Sequence, residues 1–263
     1  METMAKNEWR TSPNNLAGQV ALVTGGGSGI GRAAAIRMAH AGASAVVIAG
    51  RRRSEGEAVV AECRAAGAHS LYVQTDVMQE SDVRRLIDTV LAQFGRLDAA
   101  FNNAGRQERR ASLHAQDPEV YDAIFDANVR AVFLCMKYQL PPMLARGHGS
   151  IVINTSVSGV RNPNPGLALY SASKAAAISL MRSAAMEYAP HGIRINAIAP
   201  GRVVTDMMLS SGIADMSAVA AGLPLKRMGQ PEEVAEAVLW LLSGAASYVV
   251  GHVLAADGGF LAS

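Results

Sequence analysis

The run Val20-Ala-Leu-Val-Thr-Gly-Gly-Gly-Ser-Gly-Ile-Gly31 constrains this chain's fold more than any other stretch. Its first five residues have the make-up of a short buried strand, and the Ala-rich segment beyond the glycines has that of a helix. Gly25, Gly29 and Gly31 let the backbone between them turn sharply and approach a pyrophosphate closely. Free amides at the helix start, together with the helix dipole, attract that anion. A glycine pattern alone is consistent with a flexible turn. Set between a strand and a helix, it predicts dinucleotide binding.

The rest of the chain repeats the alternation. Apolar runs predict strands near Val20–Thr24, Ala45–Ala49, Ser70–Thr75, Ala99–Asn102, Ser150–Thr155, Arg194–Ile198 and His252–Ala255. Helical patterns fall between them, at Gly29–Ala41, Glu55–Ala66, Ser81–Phe94, Val120–Leu140, Tyr170–Ala189 and Glu232–Leu242. This is the order of parallel strands joined by crossover helices, and the strands are apolar enough to be covered on both faces. The expectation is an α/β, single-domain doubly wound (Rossmann) fold of about seven parallel strands flanked by helices. No linker or repeat divides the sequence, so residues 16–263 read as one domain behind an N-terminal extension, residues 1–15. Residues 203–229, Met- and Ala-rich with Gly212 and Gly222, break the alternation and read as a substrate lid.

Composition excludes several classes. Of the 263 residues, 17% are charged and the net charge is +2, too mild to argue for nucleic acid. Cys63 and Cys135 make neither a disulfide framework nor a metal spacing, and suit a reducing, cytoplasmic location. The N-terminal residues carry Glu2, Lys6, Glu8 and Arg10 without an apolar core, against a secretory signal. Ala237–Ala256 lacks Asp, Glu, Lys and Arg, but Ser243, Gly244, Ser247, Gly251 and His252 interrupt it. It predicts a buried helix, a turn and a strand rather than a membrane span.

Two further features carry chemistry. Tyr170 and Lys174 stand one helical turn apart on one face, so the ammonium is expected to favour the phenolate and ready the tyrosine for proton exchange with an alcohol. The second predicted strand ends in Ala49-Gly50-Arg51-Arg52-Arg53, and no Asp or Glu lies between Gly31 and Glu55. An acid there would hold the ribose hydroxyls of NAD, whereas arginines accommodate a 2′-phosphate; NADP(H) is preferred and NAD(H) remains possible.

Together these residues resemble the short-chain dehydrogenase/reductase family from Leu16 to Gly259. The likeness rests on Thr24-Gly-x-x-x-Gly-x-Gly31, Asp76, Asn102-Asn-Ala-Gly105, Asn128, Ser156, Tyr170-x-x-x-Lys174, Pro200-Gly201 and Thr205. It implies that Tyr170 is the general acid/base, that Lys174 lowers its pKa and holds the nicotinamide ribose, and that Ser156 hydrogen-bonds the substrate oxygen. Asn128 would position a water for proton relay. Ser158 competes with Ser156, which is preferred because it follows the fifth strand directly. The cofactor would contact Gly25, Ser28, Gly29, Ile30 and Gly31 at its phosphates, Arg51 and Arg52 at the 2′ position, and Asp76 and Val77 at the adenine. Asn102, Ala104 and Gly105 would pack on the adenosine ribose. Pro200, Gly201, Val203 and Thr205 would shape the nicotinamide pocket. Two departures stand out: Ser28 replaces a basic residue common in NADP-preferring relatives, and Arg106 and Arg202 occupy commonly apolar positions.

The reaction implied is hydride transfer between NADP(H) and a ketone or secondary alcohol, without a metal. A non-catalytic dinucleotide-binding sensor or scaffold is the alternative, against which the intact Asn128, Ser156, Tyr170 and Lys174 set counts. The substrate pocket would draw on Arg161, Asn162, Leu167, Ser158, Arg106, Met207 and Met208. Relatives of this kind usually form homotetramers.

Overall fold

The computed structural model describes residues 14–161, 165–213 and 215–263. Most of the N-terminal extension, and Asn162, lie outside the described residues. Seven strands, β1 (Val20–Thr24), β2 (Ala45–Gly50), β3 (His69–Gln74), β4 (Ala99–Asn102), β5 (Gly149–Asn154), β6 (Ile193–Pro200) and β7 (Val253–Ala256), form one sheet. Its order is β3-β2-β1-β4-β5-β6-β7, and every pairing is parallel, as the apolar runs predict. Successive strand residues point to opposite faces, which divides the core in two. Ala21 and Val23 of β1 belong with Phe101 to the cluster formed with α1 (Gly29–His40), α2 (Arg53–Ala65) and α9 (Pro231–Leu242). Val20 and Leu22 belong to the opposite cluster, formed with α3 (Glu80–Phe94), α5 (Ala131–Arg146) and α6 (Ala168–Tyr188). The remaining helices are α4 (Pro118–Phe125), α7 (Asp206–Leu209) and α8 (Met216–Gly222).

Strand order reverses between β1 and β4, so the connections leaving their carboxyl ends run in opposite directions and leave a crevice, the usual ligand position in an open parallel sheet. Polar anchors hold the far side of the sheet. The buried Asp98 carboxylate accepts the Val20 N–H at 2.9 Å and pairs with Arg96 at 2.6 Å. Arg194 donates to the carbonyls of Leu241, Leu242, Ser243 and Ala246, satisfying groups exposed where α9 ends.

One predicted helix departs from the sequence expectation. The predicted Val120–Leu140 helix is three pieces: α4, a π-helical turn over Asp126–Arg130, and α5. Helix α5 also runs through Pro141 and Pro142 to Arg146, although proline withdraws a backbone donor. Met143 keeps that last turn in place, being fully buried and packed so tightly on Gly149 that a Cβ there would lie 2.5 Å from its sulfur. The two ends of the 203–229 segment meet, because Val203 and Gly229 form an isolated parallel bridge and the Gly229 N–H donates to the Arg202 carbonyl at 2.9 Å.

Candidate active site

The crevice at the ends of β1 and β4 is a cleft of about 630 Å³. The first turn of α1 forms its floor, with Gly25 and Gly29 at φ +63° and +52°. These are left-handed conformations that glycine reaches without strain. Gly31 does not line the cleft. A Cβ on it would strike the Gly25 carbonyl and the Asn103 amide, so its role is close packing of the helix under the loop. Ser28, Ile30, Arg51, Arg52, Asp76, Val77, Ala104, Gly105 and Thr205 line the cleft, and so do Arg106 and Met207, which the sequence assigns to the substrate pocket. Arg52 reaches across it, its Nη2 donating to the Ser28 hydroxyl at 2.9 Å and its Nη1 lying 3.2 Å from Glu55. Thr205 caps α7, and its methyl would lie 3.2 Å from a Cβ on Gly29, so the start of the 203–229 segment rests on the glycine loop. This shape fits a dinucleotide.

Asn102 lies elsewhere. It continues the alternation of β4 toward α5, where it exchanges two amide hydrogen bonds with Gln139, at 2.9 and 2.8 Å, and is buried. Its neighbour Asn103 faces the cleft instead. There its Nδ2 donates to the Thr24 and Gly25 carbonyls, each at 3.1 Å, and its Oδ1 accepts from Asn154 at 2.8 Å. Pro200, Gly201, Val203, Leu167 and Met208 also stand outside the cleft lining. Gly201 packs on Asp257, where a Cβ would lie 2.7 Å from the backbone, and Leu167 is buried at the start of α6.

Helix α6 brings Tyr170 and Lys174 to the carboxyl end of β5, and the turn after β5 supplies Ser156. Gly159 makes the junction possible: a Cβ on it would lie 2.7 Å from the Lys174 carbonyl carbon. Lys174 is buried, with its Nζ donating to the Asn154 carbonyl at 2.8 Å and standing 5.7 Å from the centre of the Tyr170 ring. Burial lowers its pKa to about 8. The Tyr170 phenol moves the other way. Burial pushes its pKa above the usual tyrosine value and the Glu108 charge adds to this, while a hydrogen bond with Ser156 and the charge of Arg202 oppose it. Proximity to lysine therefore does not dominate as the four-residue spacing suggests. Ser158 is buried beside Ser156 and donates its backbone N–H to the Ser156 hydroxyl at 3.1 Å.

Asn128 sits in the π-helical turn, fully buried. Its Oδ1 accepts the Arg106 N–H at 2.8 Å, and its Nδ2 donates to the Arg106 carbonyl at 2.8 Å and the Ser173 hydroxyl at 2.9 Å. A Cβ on Gly105 would lie 3.0 Å from the Asn128 oxygen and 3.3 Å from Lys174 Nζ, so both groups meet beside the cleft. A π-turn at a functional residue is a recurring device.

Glu108 carries no motif signal. It is buried before α6, and both its oxygens accept the Tyr170 backbone N–H at 3.0 Å, where the free amides of a helix start attract an acid. Asn154 and Tyr72, which also line the cleft, were equally silent as single residues in strands. Among the described residues no group of three or more His, Cys, Asp or Glu is placed to hold a metal ion. None of the described helices is long and apolar enough to cross a membrane.

Residues 25–261 match the family model described as enoyl-(acyl carrier protein) reductase. The A-factor type gamma-butyrolactone 1'-reductase (1S-forming) of Streptomyces virginiae is 42% identical over 248 residues, spanning 93% of this chain and 96% of that protein. A 2,5-dichloro-2,5-cyclohexadiene-1,4-diol dehydrogenase of Sphingobium indicum is 44% identical over 258 residues, 95% of this chain and 99% of that one. Among solved structures, a 7 alpha-hydroxysteroid dehydrogenase complexed with NADH and 7-oxo glycochenodeoxycholic acid superposes with a TM-score of 0.90. It is 32% identical, covering 95% of this chain and 97% of its own. With this cleft and side-chain group on a seven-stranded parallel sheet, the chain belongs to the short-chain dehydrogenase/reductase family. Its relatives are oxidoreductases acting on alcohol and carbonyl groups, and so is this protein.

Proposed function

We propose that the protein transfers a hydride between NADP(H) and the carbon of a ketone or secondary alcohol, with Tyr170 as general acid/base. The meeting of Ser156, Tyr170, Lys174 and Asn128 beside the glycine-floored cleft carries this reading. The cleft residues would hold the dinucleotide and Lys174 its nicotinamide ribose, and the chemistry it would supply when bound is the gift or acceptance of the hydride. In reduction, the Tyr170 O–H protonates the substrate oxygen while the Ser156 hydroxyl steadies its developing charge. A phenol pKa above the usual value keeps Tyr170 protonated at neutral pH, the form reduction needs. Lys174 remains an ammonium below about pH 8 and can resupply the proton. Ketone reduction should therefore fall off above that pH, whereas alcohol oxidation, which needs the phenolate, should rise with pH. Asn128, its side chain committed to Arg106 and Ser173, would position the relaying water.

Arg51 and Arg52 at the ribose end of the cleft, with no acid at the end of β2, support NADP(H). Glu55 shares Arg52 and competes with a 2′-phosphate, so NAD(H) stays the alternative. The 203–229 segment, tied to itself at Val203 and Gly229, serves as a lid over one domain spanning residues 16–263. Two buried free thiols suit a reducing cytoplasm. A homotetramer would cover the exposed Tyr121, Phe133, Met186 and Tyr248, and light scattering checks it.

A ketone and alcohol panel run in parallel with NADPH/NADP and NADH/NAD tests the reading. It predicts turnover of a ketone with NADPH ahead of NADH. Stable NADPH binding without turnover of any ketone or alcohol would favour a sensor or scaffold instead.

A further inference from the structure

Ser156 opens a short 3₁₀ turn, Val157–Gly159, and accepts the Gly159 N–H on its carbonyl at 2.9 Å. The Val157 carbonyl accepts the N–H groups of Val160 and Arg161 at 3.1 and 2.9 Å, so Arg161 forms the outer end of the serine's turn. On the inner side, Gly159 seats that turn on α6. The sequence assigns Arg161 to the substrate pocket, but its guanidinium is engaged elsewhere. Its Nη1 donates to the main-chain oxygen of Ser263 at 2.6 Å, and its central carbon lies over the Phe260 ring, 5.0 Å from the ring centre. A planar cation that faces a ring while donating from its edge is fixed in two directions at once.

What Arg161 grips is itself anchored. Asp257, directly after β7, caps the 3₁₀ turn Phe260–Ala262, its two carboxylate oxygens accepting the N–H groups of Gly259 at 2.9 Å and Leu261 at 2.8 Å. The base of that turn is pinned to the end of β6, because the Gly201 N–H donates to the Ala256 carbonyl at 3.0 Å and a Cβ on Gly201 would lie 2.7 Å from the Asp257 Cα. Gly258 and Gly259, at φ +65° and +88°, lie against Leu225 and Pro224; a Cβ on Gly259 would stand 3.2 Å from the proline. The serine turn, the end of β6 and the 203–229 segment thus converge on one small turn.

We propose that Arg161 is a positioning residue for Ser156: by clasping the 260–262 turn it holds the serine hydroxyl where the substrate oxygen is met. This rests on the hydride-transfer reading, which gives Ser156 its task. Losing the clasp loosens the outer end of the serine turn while Gly159 still holds the inner one. A small displacement of the hydroxyl then weakens its hold on the developing charge without touching the dinucleotide cleft.

Arg161→Met removes the donor and the charge while keeping an apolar stem. Its kcat should fall at least about fivefold, with NADPH affinity by calorimetry and the unfolding temperature staying near those of the wild type. Arg161→Lys, which keeps a donor and a cation near the ring, should recover part of the loss. In a Ser156→Ala background the Arg161→Met change should cost nothing further, because the arginine acts through the serine. Hydrogen exchange needs no turnover, and the amides of Ser158–Arg161 should exchange faster in Arg161→Met. Unchanged kcat, unchanged exchange, equal losses in the serine and alanine backgrounds, or NADPH affinity falling together with kcat would overturn the proposal. Faster exchange in the variant of an enzyme that turns over neither ketones nor alcohols would uphold the clasp and contradict hydride transfer.

Discussion

Glu108 shows how strongly one residue outside every motif can bear on the site. Its two oxygens hold the Tyr170 backbone N–H, and its charge raises the phenol's pKa. Position and electrostatics are separable in Glu108→Gln, because a glutamine oxygen still accepts the N–H but carries no charge. That variant should unfold at a similar temperature while the pH at which alcohol oxidation is half-maximal moves down, read from the kcat profile. An unmoved profile would mean that the charge of Glu108 is irrelevant to Tyr170. Asn102 and Asn103 teach a related lesson. Period-two alternation through Ala100 and Asn102 already implies that Asn103, not Asn102, turns away from α5 toward the cleft. The adjacent pair in the motif hides this when it is read as a unit.

Elements were legible wherever local pattern and packing agree. All seven strands fall where the apolar runs place them, to within a residue or two at their ends, and the five inner ones are largely apolar because they are buried on both faces. The break in the α4–α5 helix was not legible, since a π-turn inserts a residue without changing composition and is set by what Asn128 reaches. Nor was the passage of α5 through Pro141-Pro142, which depends on Met143 packing on the distant Gly149. Gly159 is the element-scale counterpart of Glu108, invisible as one more glycine yet required where the Ser156 turn touches α6. Gly159→Ala would place a Cβ against the Lys174 backbone and push Ser156 away from Tyr170. We expect kcat to fall at least about tenfold, the cost of a small misplacement of reacting groups, with the KM for NADPH little changed. Wild-type kcat in that variant would show that the close contact does not position the serine.

At the scale of the molecule, strand order places everything else. Reversal between β1 and β4 opens the cleft, and the next strand, β5, ends where the serine and the catalytic helix must be. This topology follows from right-handed crossovers once strands and helices alternate, which is why the architecture could be read in advance. The substrate's identity could not, because Thr205 and Met207 of the 203–229 segment reach the cleft only through long-range packing. The central claim is that the cleft binds the dinucleotide while the Tyr170 phenol exchanges the proton with the substrate oxygen. Replacing Tyr170 with Phe, with NADPH affinity followed by fluorescence and turnover by loss of cofactor absorbance, separates the two. The account predicts NADPH affinity close to that of the wild type and a loss of turnover of about 10²-fold or more; turnover near the wild-type rate would contradict it.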